Sequence, residues 1–307
     1  MQTINLEKFT THLTITFYDE LSIGKLKRLE EQIITCIDDF EKEFSRFLPS
    51  STLSRLNRWE SLLLSPLFLQ VIARTQEVMR QTEGAFHPFV SVAHIWYWTS
   101  FSKEFKATEL EEEKQKKWLS LDLADYILLD THTWCYSLLP WYALDLWWIG
   151  KGYVVDMLWS LIRQAWYNNF LINFWGDILV QGSKPDGAPF CVELDDGRWG
   201  VCGMIDLMQG SVSTSWSYKR TWKIDNTPYH HIINPHTWKN NRELISVSLI
   251  GPDTTTTDTF ATAVMTWSVA TGIDLLHKNH LDGLLISSIH EIHTTDNFIE
   301  KYNFWPW

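Results

Sequence analysis

An α+β architecture in one compact unit, residues 1–307, is what this sequence predicts. Two helix-spaced apolar stretches follow an opening strand, short strand-like runs with turn signals dominate from about residue 126, and helices interrupt those strands without regular alternation. With 307 residues, 45% hydrophobic and 21% charged, the chain holds enough apolar surface for a sizeable core. No repeat, low-complexity tract or linker divides it.

The elements follow from local spacing. Leu13, Ile15 and Phe17 alternate with polar residues, as an opening strand with one buried face does. Leu26, Leu29, Ile33, Ile37, Phe40 and Phe44 keep helical spacing, which predicts a long amphipathic helix over 24–45. The polar segment Leu48 to Asn57 follows, then a helix introduced by Ser65-Pro66 with Leu67, Val71, Ile72, Val78 and Met79 inward. The charged stretch Lys103 to Lys117 reads as a solvated helix. Strands are expected at 126–129, 170–180, 189–193, 211–215, 230–233 and 244–250, with helices at 151–165 and 258–270.

Composition excludes several functions. A net charge of -11, from 37 acidic against 26 basic residues, argues against a nucleic-acid or anionic-membrane partner. A phosphate-bearing ligand must therefore be held locally, by a metal or by backbone N–H groups. Cys36, Cys135, Cys191 and Cys202 form no C-x-x-C pair, so neither a zinc site nor a dithiol motif is expected. No apolar run reaches the roughly 20 residues of a transmembrane segment. Met1 to Glu7 show no basic start followed by an apolar segment, so no signal peptide is expected and the chain as written reads as cytoplasmic.

Three places carry residues suited to chemistry. Asp258 and Thr262, four apart on a helix opened by Thr254-Thr-Thr-Thr, would point the same way and suit a hard cation such as Mg²⁺, or simply form a capped helix whose threonine packs. Asp145 ends a strand-like run and Gly150-Lys-Gly152 leads into the next helix, so Asp145 and Lys151 straddle a tight turn that fits either a pyrophosphate cradle or a surface ion pair. His230 and His231 stand beside a short apolar strand, one of them a general base or both structural.

Taken in order, seven segments resemble one family over nearly the whole chain. They are Ser45-Arg-Phe-Leu-Pro-Ser-Ser-Thr-Leu-Ser-Arg-Leu-Asn57, Gly84-Ala-Phe-His-Pro88, Asp145-Leu-Trp-Trp-Ile-Gly-Lys-Gly-Tyr-Val-Val-Asp156, Asn173-Phe-Trp-Gly-Asp177, Thr214-Ser-Trp-Ser-Tyr218, His231-Ile-Ile-Asn-Pro-His-Thr-Trp238 and the Asp258 to Thr262 helix. Together they are similar to the ApbE family of FAD:protein FMN transferases. That resemblance implies a Mg²⁺-dependent enzyme with FAD as substrate. It would attach FMN to a Thr or Ser hydroxyl of an acceptor flavoprotein subunit of a membrane redox complex, and release AMP. It also implies a metal held by Asp258, Thr262 and the backbone carbonyl of Trp148. Ala85, Phe86, His87 and Ile232 would line the FAD site, Asp145 and Lys151 would contact FAD beside the diphosphate, and His231 would activate the acceptor hydroxyl beside the catalytic Asp258. An FAD pyrophosphatase and a non-catalytic flavin-binding protein are the alternatives. Members of the family are often exported and lipid-anchored.

The sequence departs from the family in places. His87 replaces the usual Asp, Asn234 a position that is often Asp, and Lys8-Phe9 a usual Met-Gly. Tryptophan occurs 18 times and glycine 14 times, where average usage gives roughly 21 glycines. Trp141, Trp147, Trp148, Trp166, Trp175, Trp216 and Trp238, with Trp59, all fall where the resemblance calls for glycine, whereas Trp96 matches a family tryptophan. Tight turns need positive φ or close backbone approach, so a gene that uses UGA for glycine is expected, in preference to a tryptophan-rich core.

Overall fold

The computed structural model describes residues 1–8, 11–90, 119–198, 200–218, 221–224 and 227–307. The expected helix Lys103 to Lys117, Trp96 and Phe9 lie outside them.

Strands β1 (Gln2–Lys8) and β2 (Thr11–Phe17) pair antiparallel from Gln2↔Phe17 to Lys8↔Thr11. Helix α1 (Ile23–Phe44) follows and buries Leu29, Ile33, Ile37, Phe40 and Phe44, the stripe its spacing predicts. A short helix, α2 (Thr52–Leu56), occupies part of the segment read as merely polar, with Ser51 as its cap. Helix α3 (Pro66–Gln81) starts where Ser65-Pro66 places it, the Ser65 hydroxyl accepting from the Phe68 N–H. After the hairpin β3 (Ile127–Asp130) and β4 (Cys135–Leu138) comes α4 (Trp147–Gln164), one turn earlier than expected. Asp145 therefore ends an irregular segment and not a strand.

The 170–180 run is a hairpin, β5 (Phe170–Phe174) and β6 (Asp177–Gln181). Strands β7 (Phe190–Asp195), β8 (Val201–Leu207), β9 (Gln209–Trp216), β10 (Thr221–Ile224) and β11 (Thr227–His230) follow. The last ends at His230, so His231 to Ile233 form a loop instead of the expected strand. After β12 (Leu244–Gly251), the expected helix 258–270 is two: α5 (Thr254–Val264) and α6 (Val269–Lys278), the second capped by the Ser268 hydroxyl. The chain closes with β13 (Asp282–Ser287), β14 (Ile292–Thr294), α7 (Phe298–Lys301) and β15 (Trp305–Pro306).

Eight strands form one antiparallel sheet in the order β1-β2-β5-β6-β9-β12-β13-β14, and β15-β8-β7 form a smaller one. Side-chain alternation divides two cores. On β13, Leu285 faces the core shared with α1, α4 and α5, while Leu284 and Ile286 face Phe190, Val192 and Ile205 of the small sheet and Phe298 of α7. The α+β expectation holds, and it places α4 and α5 side by side on one face of the large sheet.

Among the described residues no helix is long and apolar enough to cross a membrane. All four cysteines are free.

Candidate active site

Helices α4 and α5 meet at Gly152. A Cβ there would lie 2.5 Å from the Thr254 carbonyl oxygen, so only glycine lets the two backbones approach this closely. One turn further along, Asp156 of α4 accepts hydrogen bonds from the backbone N–H groups of Thr254 and Thr255, each at 2.8 Å, and from the Thr255 hydroxyl. A buried carboxylate thus satisfies the free donors that open α5. Burial nevertheless pushes its pKa up to about 6, against the lowering effect of those bonds.

The same contact brings three charges together. Lys151 Nζ lies 2.5 Å from Asp177 Oδ2 and 3.3 Å from Asp258 Oδ2; both carboxylates are buried and the lysine is largely so. Burial opposes the ammonium charge, but Asp177 and Asp258 more than offset it and raise the Lys151 pKa. Asp258 is raised as well, first by burial and then by Asp177, with Lys151 opposing. Two carboxylates against one ammonium leave the cluster a cation short.

Asp258 Oδ2 is buried without a hydrogen bond, and Thr262 Oγ1 is 3.1 Å from Ser215 Oγ on β9. Among the described residues no three His, Cys, Asp or Glu side chains form a metal-binding group. A cation here would rest on one carboxylate plus hydroxyl and carbonyl oxygens, a donor set that suits Mg²⁺ and not zinc. The Asp258 oxygen that has an ion pair but no hydrogen bond, and the charge deficit, both fit such an ion.

Beside this cluster lies a cleft lined by Ala85, Phe86, His87 and Val90, by Trp148 and Thr262, and by His231, Ile232, Ile233 and Pro235. Seven of the ten site residues named from sequence therefore meet at one surface, contributed by four distant segments. Asp258, one turn before Thr262 on α5, and Lys151 are outside that lining. Asp145 sits at the start of α4, where its Oδ1 accepts from the Trp147 N–H at 3.0 Å and its Oδ2 holds Arg46 Nη1 at 2.8 Å. Asn57 fixes that corner by exchanging two hydrogen bonds with the Leu144 backbone.

The two adjacent histidines separate by role. His230 Nε2 donates to the Asn241 carbonyl at 2.8 Å, its Nδ1 accepts from the Ile232 N–H, and burial lowers its pKa. Its ring is committed to the loop. His231 faces the cleft, its ring 5.3 Å from that of Trp148 and 5.4 Å from that of Trp216. His87 is neutral at pH 7, since burial pulls its pKa down to about 4. Asn234 organises its own turn: Oδ1 accepts from the His236 and Thr237 N–H groups, while Nδ2 donates to the Thr266 carbonyl, which a carboxylate could not do.

Arg46, Asp156 and Asp177 were not singled out from sequence as site residues. Each acts through a partner at least 26 positions away, so local spacing carries no sign of the pairing.

A large antiparallel sheet with paired helices beside one cleft is the fold this chain shares with solved ApbE structures. The ApbE protein of Thermotoga maritima superposes with a TM-score of 0.82 at 22% identity, covering 97% of this chain and 98% of that one. The flavin transferase ApbE from Vibrio cholerae gives 0.82 at 20%, covering 98% and 99%. The model of the ApbE family matches residues 9–285, and the chain belongs to that family. Curated relatives named FAD:protein FMN transferase include that of Chlamydia trachomatis, 25% identical over 89% of this chain and 87% of its own length. The Escherichia coli K12 protein of that name is 25% identical over 77% and 70%.

Proposed function

We propose that this chain transfers FMN from FAD to a Thr or Ser hydroxyl of an acceptor flavoprotein, in a Mg²⁺-dependent reaction that releases AMP. The observation that carries this reading is the meeting of Ala85, Phe86, His87, His231 and Ile232 with Thr262 at one cleft, with Asp258 one helical turn before Thr262 on α5. The relatives' shared name supports it.

Asp258 and Thr262, with the Trp148 carbonyl, would hold Mg²⁺, which supplies charge neutralisation at the diphosphate. Lys151 holds Asp177 and Asp258 in place through its two ion pairs. Ala85 to His87 and Ile232 offer an apolar wall to the flavin. His231 takes the proton as the acceptor oxygen bonds to the FMN-side phosphorus and the bond to AMP breaks. The acceptor is a flavoprotein subunit of a membrane redox complex.

A second reading, a non-catalytic flavin-binding protein, draws on the indoles of Trp148 and Trp216 beside His231. Product analysis with FAD, Mg²⁺ and an acceptor protein separates the readings. Transfer yields protein-bound flavin with one AMP each. Free FMN and AMP in equal amounts without acceptor means a pyrophosphatase, and absence of AMP means binding only.

A further inference from the structure

We propose that Trp59, Trp134, Trp141, Trp147, Trp148, Trp166, Trp175, Trp216 and Trp238 are glycines in the protein its own host makes, their codons being UGA read as glycine. The backbone supports this independently of any relative. Six of the nine hold left-handed conformations: Trp59, Trp134, Trp141, Trp166, Trp175 and Trp238, with φ between 54° and 76°. That region is uncommon for any residue with a Cβ, and bulky residues are outliers there.

The turns themselves ask for glycine. Trp59 and Trp166 each follow a helix with the paired bonds of a Schellman end: Trp59 N–H to Leu56 and Glu60 N–H to Arg55, then Trp166 N–H to Arg163 and Tyr167 N–H to Ile162. The left-handed position of that motif is usually glycine. Trp175 and Gly176, at φ 54° and 93°, are the two-residue loop joining Phe174↔Asp177, a type I′ hairpin turn that needs positive φ at both residues. Trp141 follows Pro140 at φ 76° with the Tyr142 N–H bonded to the Leu139 carbonyl, the type II turn whose third residue is glycine or asparagine. At Trp141 and Trp166 packing offers little compensation, since each is 87% exposed. Trp134, which closes the β3–β4 loop, belongs to this set by conformation alone.

Trp147, Trp148 and Trp216 differ, since they crowd the site instead of straining a turn. This half rests on the proposed function. Trp148 and Trp216 flank the His231 ring, and Trp147 packs edge-on to Phe47 at the first turn of α4. Glycine at all three would open the space in front of that helix N-terminus and free His231.

Other tryptophans behave as tryptophans. Trp159 donates Nε1–H to Gln181 at 3.0 Å and packs on the core, as does Trp267. Moving the nine leaves nine tryptophans and 23 glycines in place of 18 and 14, close to the roughly 21 glycines that average usage gives.

The test reads the codons and the peptide masses of the protein from its own host. UGA at all nine positions, UGG at Trp96, Trp159 and Trp267, and glycine masses in the peptides are expected. UGG at 147, 148 and 175, or tryptophan masses there, overturns the proposal. A recombinant pair gives a second readout independent of activity. Glycine at the six turn positions should raise Tm by roughly 10 °C, while Trp159→Gly lowers it. An unchanged or lower Tm with the six turn glycines contradicts the backbone argument even if the site variants fail to bind FAD.

Discussion

Replacing Asp156 by Ala removes the acceptor that closes the start of α5. The Thr254 and Thr255 N–H groups are then buried without a partner, at about 1–3 kcal/mol each. The sum is about 4 kcal/mol. Working against it, removal also relieves the burial of a carboxylate whose pKa is raised from 3.8 to about 6, roughly 3 kcal/mol once the group is ionised in both states. The sign follows from the direction: a raised folded pKa gives stability that is present below pH 3.8 and lost as pH rises through 6. Urea unfolding should therefore show the Asp156→Ala variant about 4 kcal/mol less stable at pH 4 and only about 1 kcal/mol less stable at pH 7.5. A gap that widens with rising pH would refute the reasoning, because the hydrogen bonds would then outweigh desolvation.

His87 works in the opposite sense. Its folded pKa is lowered from 6.5 to about 4, so its contribution is present above pH 6.5 and lost as pH falls toward 4. His87→Asn should flatten the acid limb of the unfolding curve by up to about 3 kcal/mol, and an unaltered limb would show that the ring protonates freely. His231→Ala should lower the rate of FMN transfer at least 100-fold while changing FAD affinity little, as loss of a general base does. Equal losses in rate and affinity would make His231 a wall of the cleft.

Much of the frame was legible because it rests on local periodicity. The stripe Leu29, Ile33, Ile37, Phe40 and Phe44 and the Ser65-Pro66 start gave α1 and α3 within a residue. Helix α4 was read late because Trp147 to Gly150 extend an apolar run that resembles a strand. The break between α5 and α6 was missed because apolar residues run through it, and the Ser268 cap shows only once the backbone is known.

At the site, the motifs named residues from four segments that now line one cleft, but its supports were invisible. Asp177 and Asp156 have meaning only after β6 and α5 are laid against α4. Trp134 was absent from the expected set, since its glycine-like character lies in a φ of 58° and in no motif.

The central claim is that Asp258 and Thr262, packed against the N-terminal half of α4, form the centre of a Mg²⁺-dependent flavin transferase. AMP release from FAD, measured with and without EDTA, tests it on the glycine-restored protein and on its Asp258→Ala and Thr262→Ala variants. The account predicts AMP only with Mg²⁺ present, lost in Asp258→Ala and strongly reduced in Thr262→Ala. Unchanged Mg²⁺-dependent release by Asp258→Ala would contradict it.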